Sequence, residues 1–456
     1  MQATQTPVYR TRRQLLARTG AGGTALLMAV AACQLAPARR EPLTSKHYRI
    51  EHWDYPEGPL DAVEANIRET IARFQQEHPN VTIELTMLNF TDGPAKFETA
   101  LASGTPPDVY HFGGSSRDVQ TGLLVDLTPF YTRQDREDIY PEVLDFVEYQ
   151  GKYWRWPTYT TIWCMNANRK LVEEAGVDWR AVQRDGWTTD EFVEAMRRAT
   201  TSQRWGYTWA EQEQWSFMSR NWGLVYRISP QGEWIFRGEP AIQSIQWLID
   251  TFDKFKISPP ETPRWSRTEA GALYNRQEAA VLGRGGLGAI ANSLQGRTPF
   301  EQVLLPWPHH RSAKEVNHGG VYGKTVWRQQ NYKGDDHTQI AVKYAKVRSI
   351  DEMIFESELI AVLPNRKSGD EAVVKAGRHA LLQADGGVHY QFAQRYRKLM
   401  TGWWPPKLEP RLVEKTAQIQ RDAWNPIFLD IIQGRTSPRE GVAELEARAR
   451  GILAAP

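Results

Sequence analysis

Cysteine is nearly missing from this chain: 456 residues contain two, Cys33 and Cys164. Cys33 falls in an N-terminal leader, so Cys164 has no obvious intramolecular partner. That excludes a disulfide framework and any metal site built on several thiolates. Cys164 reads as a small, buried apolar residue. Net charge is equally scarce, with 56 Lys and Arg against 54 Asp and Glu. No basic block follows the first few dozen residues, so charge makes no case for nucleic acid. Past the leader no apolar run has the length of a membrane span. There is no internal repeat, no Gly-x-Ser-x-Gly elbow, no phosphate loop and no His-Glu-x-x-His pair. Gly283-Arg284-Gly285-Gly286 is too short to signal a nucleotide. His309, His310 and His318 lie in a loop-rich stretch without a convincing acidic partner. No catalytic residue, metal or cofactor is therefore expected.

The leader itself is informative. Arg12-Arg13 precedes a modest, glycine-containing apolar stretch that ends Val30-Ala31-Ala32-Cys33. A basic start, apolar middle and small-residue exit are the parts of an export signal. The exit resembles the bacterial lipobox, whose cysteine becomes the lipid-bearing first residue of the mature chain. Residues 34–46 read as a flexible tether. An exported globule anchored to the membrane is expected.

The folded part opens on a strand-like run, Tyr48 to Trp53. Val63, Ile67, Ile71 and Phe74 then recur at helical spacing. Val81 to Leu88 alternates as a strand, Ala95 to Ala102 reads as a helix, and Val109 to Phe112 as a third strand. This β-α-β-α-β order predicts an α/β layer with parallel strands. Ligands sit beyond the carboxyl ends of such strands, which singles out Trp53-Asp54 and Gly114-Ser115-Ser116. Further on, Thr188 or Thr189 can cap a helix to Ala199. Ile242 to Phe255, Asp370 to Gln383 and Glu440 to Ile452 also read as helices, and residues 296–334 as crossover and loop.

These segments resemble, in order, the extracellular solute-binding proteins of family 1, the maltose-binding type that serves ABC importers. FQQEHPNVTIEL (Phe74–Leu85), LASGTPPDVY (Leu101–Tyr110) and GLLVDLTPF (Gly122–Phe130) carry the likeness. So do Gly151-Lys152-Tyr153 with Trp156-Pro157, Met165 to Leu171, Glu278 to Val281 as a short helix, Leu305 to Pro308, and Asp422 to Ala449. The resemblance implies a periplasmic-binding-protein type II fold with a cleft between discontinuous lobes. Lobe 1 would comprise 47–158 and about 316–364, and lobe 2 would comprise 159–315 and about 365–456. Hinges are expected near Thr158–Thr161, Trp307–Gly319 and Pro364. Either His318–Gly323 or Glu356–Pro364 would form the glycine-rich cleft strand.

The resemblance also implies a monomeric carrier that hands a small solute to a membrane permease. The 18 tryptophans favour a sugar, because a flat ring covers the apolar face of a saccharide while polar groups meet its hydroxyls. Candidates besides the strand exits are Trp156, Tyr159, Trp222, Gly285, Trp307, Tyr322, Trp403 and Trp424. Core packing is the competing role for each tryptophan, and a plain turn for Gly285. A secreted glycoside hydrolase, or the same fold holding a polyamine or a sugar phosphate, are the alternatives; Arg155, Arg284 and Arg328 bear on the last.

Overall fold

A computed structural model describes residues 46–401 and 407–455. Cys33 and Trp403 lie outside them. The strand Tyr48–Asp54 is followed by helix Leu60–Glu77, which buries Val63, Ile67, Ile71 and Phe74 as their spacing predicts. Strand Val81–Met87 and strand Val109–Tyr110 flank the first strand in parallel register, His52 facing Val109. The turn after Tyr110 places Gly113 and Gly114 at φ of 88° and 87°, backbone that glycine adopts without strain. Ser115 then caps helix Ser116–Gln120 through a reciprocal bond with Asp118.

Two long antiparallel strands, Trp156–Asn168 and Asn317–Val326, carry the sheet from one lobe into the other. Thr325 and Val326 pair with Tyr110 and Val109, while Asn317 and His318 pair with Met400 and Thr401. Along the partner strand, Trp156 and Pro157 face Lys324 and Gly323, and Met165 to Asn168 face Leu305 to Gln302. Leu363–Pro364 adds a third crossing against Thr160 and Tyr159. Of the two segments expected as a strand, 318–323 lies within the strand Asn317–Val326, while residues 356–360 end the helix Asp335–Ile360 and Leu363–Pro364 alone is extended in the other. The cores segregate accordingly. Two gather residues of 48–156 and 321–345. The others gather 162–307 and 361–449.

Three local expectations fail. Glu278 to Val281 is not helical, because Ala279–Gly286 is an interior strand paired with both neighbours. Residues 296–334 contain the strands Gln302–Leu305 and Asn317–Val326. The helix expected over 370–383 is broken, with Gly377 in the left-handed region between Lys367–Ala376 and Ala380–Gln383. No helix of the described residues is long and apolar enough to cross a membrane.

Candidate functional site

The two crossing strands present alternate side chains to opposite sides. Thr161 and Trp163 on one strand, and His318, Gly320 and Tyr322 on the other, are partly exposed while their neighbours are buried. They form one aromatic face. Trp163 lies 4.5 Å from the His318 ring, and Tyr322 lies 5.8 Å from Phe112. Arg284 stacks 4.4 Å over Trp163 and is held there by Glu213 at 2.9 Å. Glu57 stands at the other end, 3.4 Å from His111.

A cavity of about 570 Å³ lies between the lobes. Gly113, Gly114, Ser115, Ser116, Glu142 and Arg155 line it from the first lobe. Tyr226, Arg397, Met400, Thr401 and Lys407 line it from the second. Arg155 ties this cavity to the crossing strands by donating to the carbonyls of Gly113 and Val321. A larger hollow of about 910 Å³ is lined by second-lobe residues alone, such as Phe252, Arg264 and Arg435. It lies away from the strand ends and brings no residues of the two lobes together.

The residues singled out from sequence fall into distinct groups. Gly114, Ser115 and Ser116 line the inter-lobe cavity, although the Ser115 hydroxyl is engaged with Asp118. Tyr322 lies on the aromatic face, stacked at 5.2 Å on Tyr159. Trp53 is half-buried against the core, with the Lys96 ammonium 4.6 Å over its ring, and does not line the cavity. Trp156, Trp222, Trp307 and Trp424 are core residues, which corrects their assignment to the cleft. Trp156 is 0% exposed and stacked 4.3 Å from Tyr131. Trp307 stacks on Phe217 and donates to the Gly283 carbonyl at 2.7 Å. Trp424 stacks on Trp215, and Trp222 packs against Trp247. Tyr159 is buried beneath Tyr322 rather than facing the cleft. Gly285 lies within a strand, and the close approach that it permits is that of the Asn166 side chain. Of the three arginines singled out from sequence, Arg155 alone lines the cavity; Arg328 stacks instead on Tyr332. Trp163 and Arg220 escaped the sequence reading, and Thr161 entered it only as the end of a hinge.

Asp54 is also corrected. It is buried, and its carboxylate belongs to an ionic cluster at the end of the first strand. Lys324 from the crossing strand donates to Asp54 Oδ2 at 2.7 Å and reaches Glu352 Oε2 at 2.8 Å. Asp54 Oδ1 sits 2.7 Å from His111 Nδ1. Burial and Lys324 push the His111 pKa down, but Asp54 and Glu352 outweigh them and hold it at about 10. Lys324, with Arg348 Nε 3.9 Å from Asp54 Oδ2, sets positive charge against Asp54 and Glu352. Asp54, His111 and Glu352 have the spacing of a metal triad, but the Lys324 ammonium already fills the space between them. Beside the cluster, both carboxyl oxygens of Glu356 are buried without a hydrogen-bond partner. Burial first, then the Glu352 charge, raises the Glu356 pKa to about 8.

A family model of bacterial extracellular solute-binding proteins matches residues 58–333. Solved structures of this architecture superpose over nearly the whole chain at low identity. An ABC substrate-binding protein of Listeria monocytogenes, solved with cycloalternan, gives a TM-score of 0.69 at 16% identity, covering 90% of this chain and 100% of its own. Maltose-bound MalE3 of T. maritima gives 0.68 at 16%, covering 88% and 99%. A sugar transporter protein of Arthrobacter chlorophenolicus with laminaribiose gives 0.67 at 15%, covering 89% and 100%.

Proposed function

We propose that this chain, which belongs to the bacterial extracellular solute-binding proteins, captures a carbohydrate between its lobes and delivers it to an ABC permease. The observation that carries the reading is the partly exposed aromatic face of the crossing strands, Trp163 and Tyr322, set beside Thr161, His318 and Arg284. Flat rings cover the apolar face of a sugar, and the polar side chains and strand-end amides meet its hydroxyls. The saccharide ligands of the superposed proteins support the same class. Binding without turnover fits the family. Bending of the three strand crossings, near Thr158–Thr161, Asn317–Gly320 and Leu363–Pro364, would close lobes 47–158 with 316–364 on 159–315 with 365–456. Export through the twin-arginine leader and lipid attachment at Cys33 would keep a monomeric carrier on the outer membrane face, close to its permease.

The test is a thermal-shift screen of the mature chain against saccharides, polyamines, amino acids and sugar phosphates. A ligand that binds only the folded state raises the midpoint by mass action. A saccharide that shifts the midpoint and is recovered intact supports the reading. A shift only with amines or amino acids defeats it, and a cleaved saccharide makes the protein an enzyme.

A further inference from the structure

Two arginines near the inter-lobe cavity, Arg220 buried and Arg155 half-buried, form no ion pair with a carboxylate among the described residues. Arg220, at the end of helix Glu213–Arg220, is 3% exposed. Its Nη1 lies 2.8 Å from His318 Nδ1 and 3.5 Å from the Thr401 carbonyl oxygen. Its Nη2 is buried and makes no hydrogen bond among the described residues. Arg155 spends two of its nitrogens on the carbonyls of Val321 and Gly113, and its buried Nε has no acceptor. Among the described residues, neither arginine forms an ion pair with Asp or Glu. Burial pulls the Arg220 pKa down to about 9, and it pulls Arg155 down as well against a partial offset from Asp118. A buried charge left without a partner is among the costlier arrangements a fold can keep.

Of the carboxylates lining the cavity, Glu142 lies 3.3 Å from Arg397, and Asp145 and Glu148 share Lys407. Glu213 meets Arg284 at 2.9 Å, and Glu57 faces His111 at 3.4 Å. The cavity lining sets Arg155, Arg397, Lys398 and Lys407 against Glu142, Asp145 and Glu148, an excess of positive charge. Arg155 and Arg220 are held at two points of one strand, Val321 and His318, about 10 Å apart at the rise of an extended chain. Guanidinium forks fit the paired oxygens of carboxylate, sulfate and phosphate.

We propose that the saccharide this cleft takes is acidic, carrying an oxyanion (carboxylate, sulfate or phosphate) that pairs with Arg220 and Arg155 as the lobes close. The inference rests on the carbohydrate reading and narrows it. The aromatic face takes the ring and the arginines take the charge. A neutral sugar would leave both guanidinium groups dry and unpaired, so the site discriminates against it.

The test is calorimetric titration of the mature chain with uronic-acid, sulfated and phosphorylated saccharides and the neutral counterpart of each. One acidic class is expected to bind, with its neutral counterpart about thirtyfold weaker or more. Arg220→Gln and Arg155→Gln should each erase most of that ratio, and Arg220→Lys and Arg155→Lys should keep part of it. If a Gln variant does not fold, the wild-type ratio and the Lys variants decide. Neutral saccharides binding as tightly as acidic ones, or Gln variants losing both equally, would overturn the inference while leaving the carbohydrate reading intact. Failure of every saccharide would overturn both.

Discussion

Trp156 and Trp163 stand on one strand, yet Trp156 is buried against Tyr131 and Trp163 is partly exposed beside His318. Replacing each with Ala should separate their roles. Trp156→Ala empties a core position and should cost about 3–5 kcal/mol in denaturant unfolding, with little direct effect on ligand affinity. Trp163→Ala should weaken saccharide binding by about tenfold while changing stability less. Equal losses of stability in both variants would return Trp163 to the core. Composition shows an excess of tryptophan but not which ring faces the cleft, since core and floor positions draw on the same residue type. Glu356 was legible only as part of a segment. Its folded carboxyl holds a proton up to about pH 8, whereas the ordinary value is 4.5. Between those values the folded state binds more protons than the unfolded state, so this group makes stability fall as pH rises, by up to about 1.4 kcal/mol per pH unit. Glu356→Gln removes that slope. Its thermal midpoint should therefore gain on wild type from pH 5 to pH 8, and a pH-independent difference would contradict the burial argument.

At the scale of elements, the crossing strands depend on small residues where they pack most closely. A Cβ on Gly323 would overlap the Trp156 carbonyl, and one on Gly319 would overlap the Thr161 carbonyl. Gly323→Ala should cost about 1–3 kcal/mol by chemical denaturation. A neutral substitution would mean that the ribbon has room to shift. The amphipathic elements of the first lobe were readable because one period governs each of them: Val63, Ile67, Ile71 and Phe74 lie on one helical face. The helix Asp335–Ile360 was not readable, because its buried face carries His337, Arg348, Glu352 and Glu356 among the apolar residues. Arg348 and Glu352 belong to an ionic cluster whose partners, Asp54 and Lys324, lie far away in sequence, and His337 meets the equally distant Asp108. Strand Asn317–Val326 was half-legible. Its glycines marked it, but only the pairing with Trp156–Asn168 distinguishes a sheet strand from a loop of the same composition.

At the scale of the molecule, two lobes with separate cores share one continuous sheet, and the space between them is where a ligand gains contacts from both. The leader adds a cellular prediction. Cys33→Ser should move the protein from the membrane fraction to the soluble extracytoplasmic fraction, and unchanged membrane attachment would contradict lipid anchoring. The central claim is capture of a saccharide over Trp163. It is tested most directly by isothermal titration of the wild-type mature chain and of Trp163→Ala with the saccharide found in the screen. The account predicts stoichiometric one-to-one binding that weakens about tenfold or more in the variant. Unaltered affinity in a folded Trp163→Ala protein would contradict it.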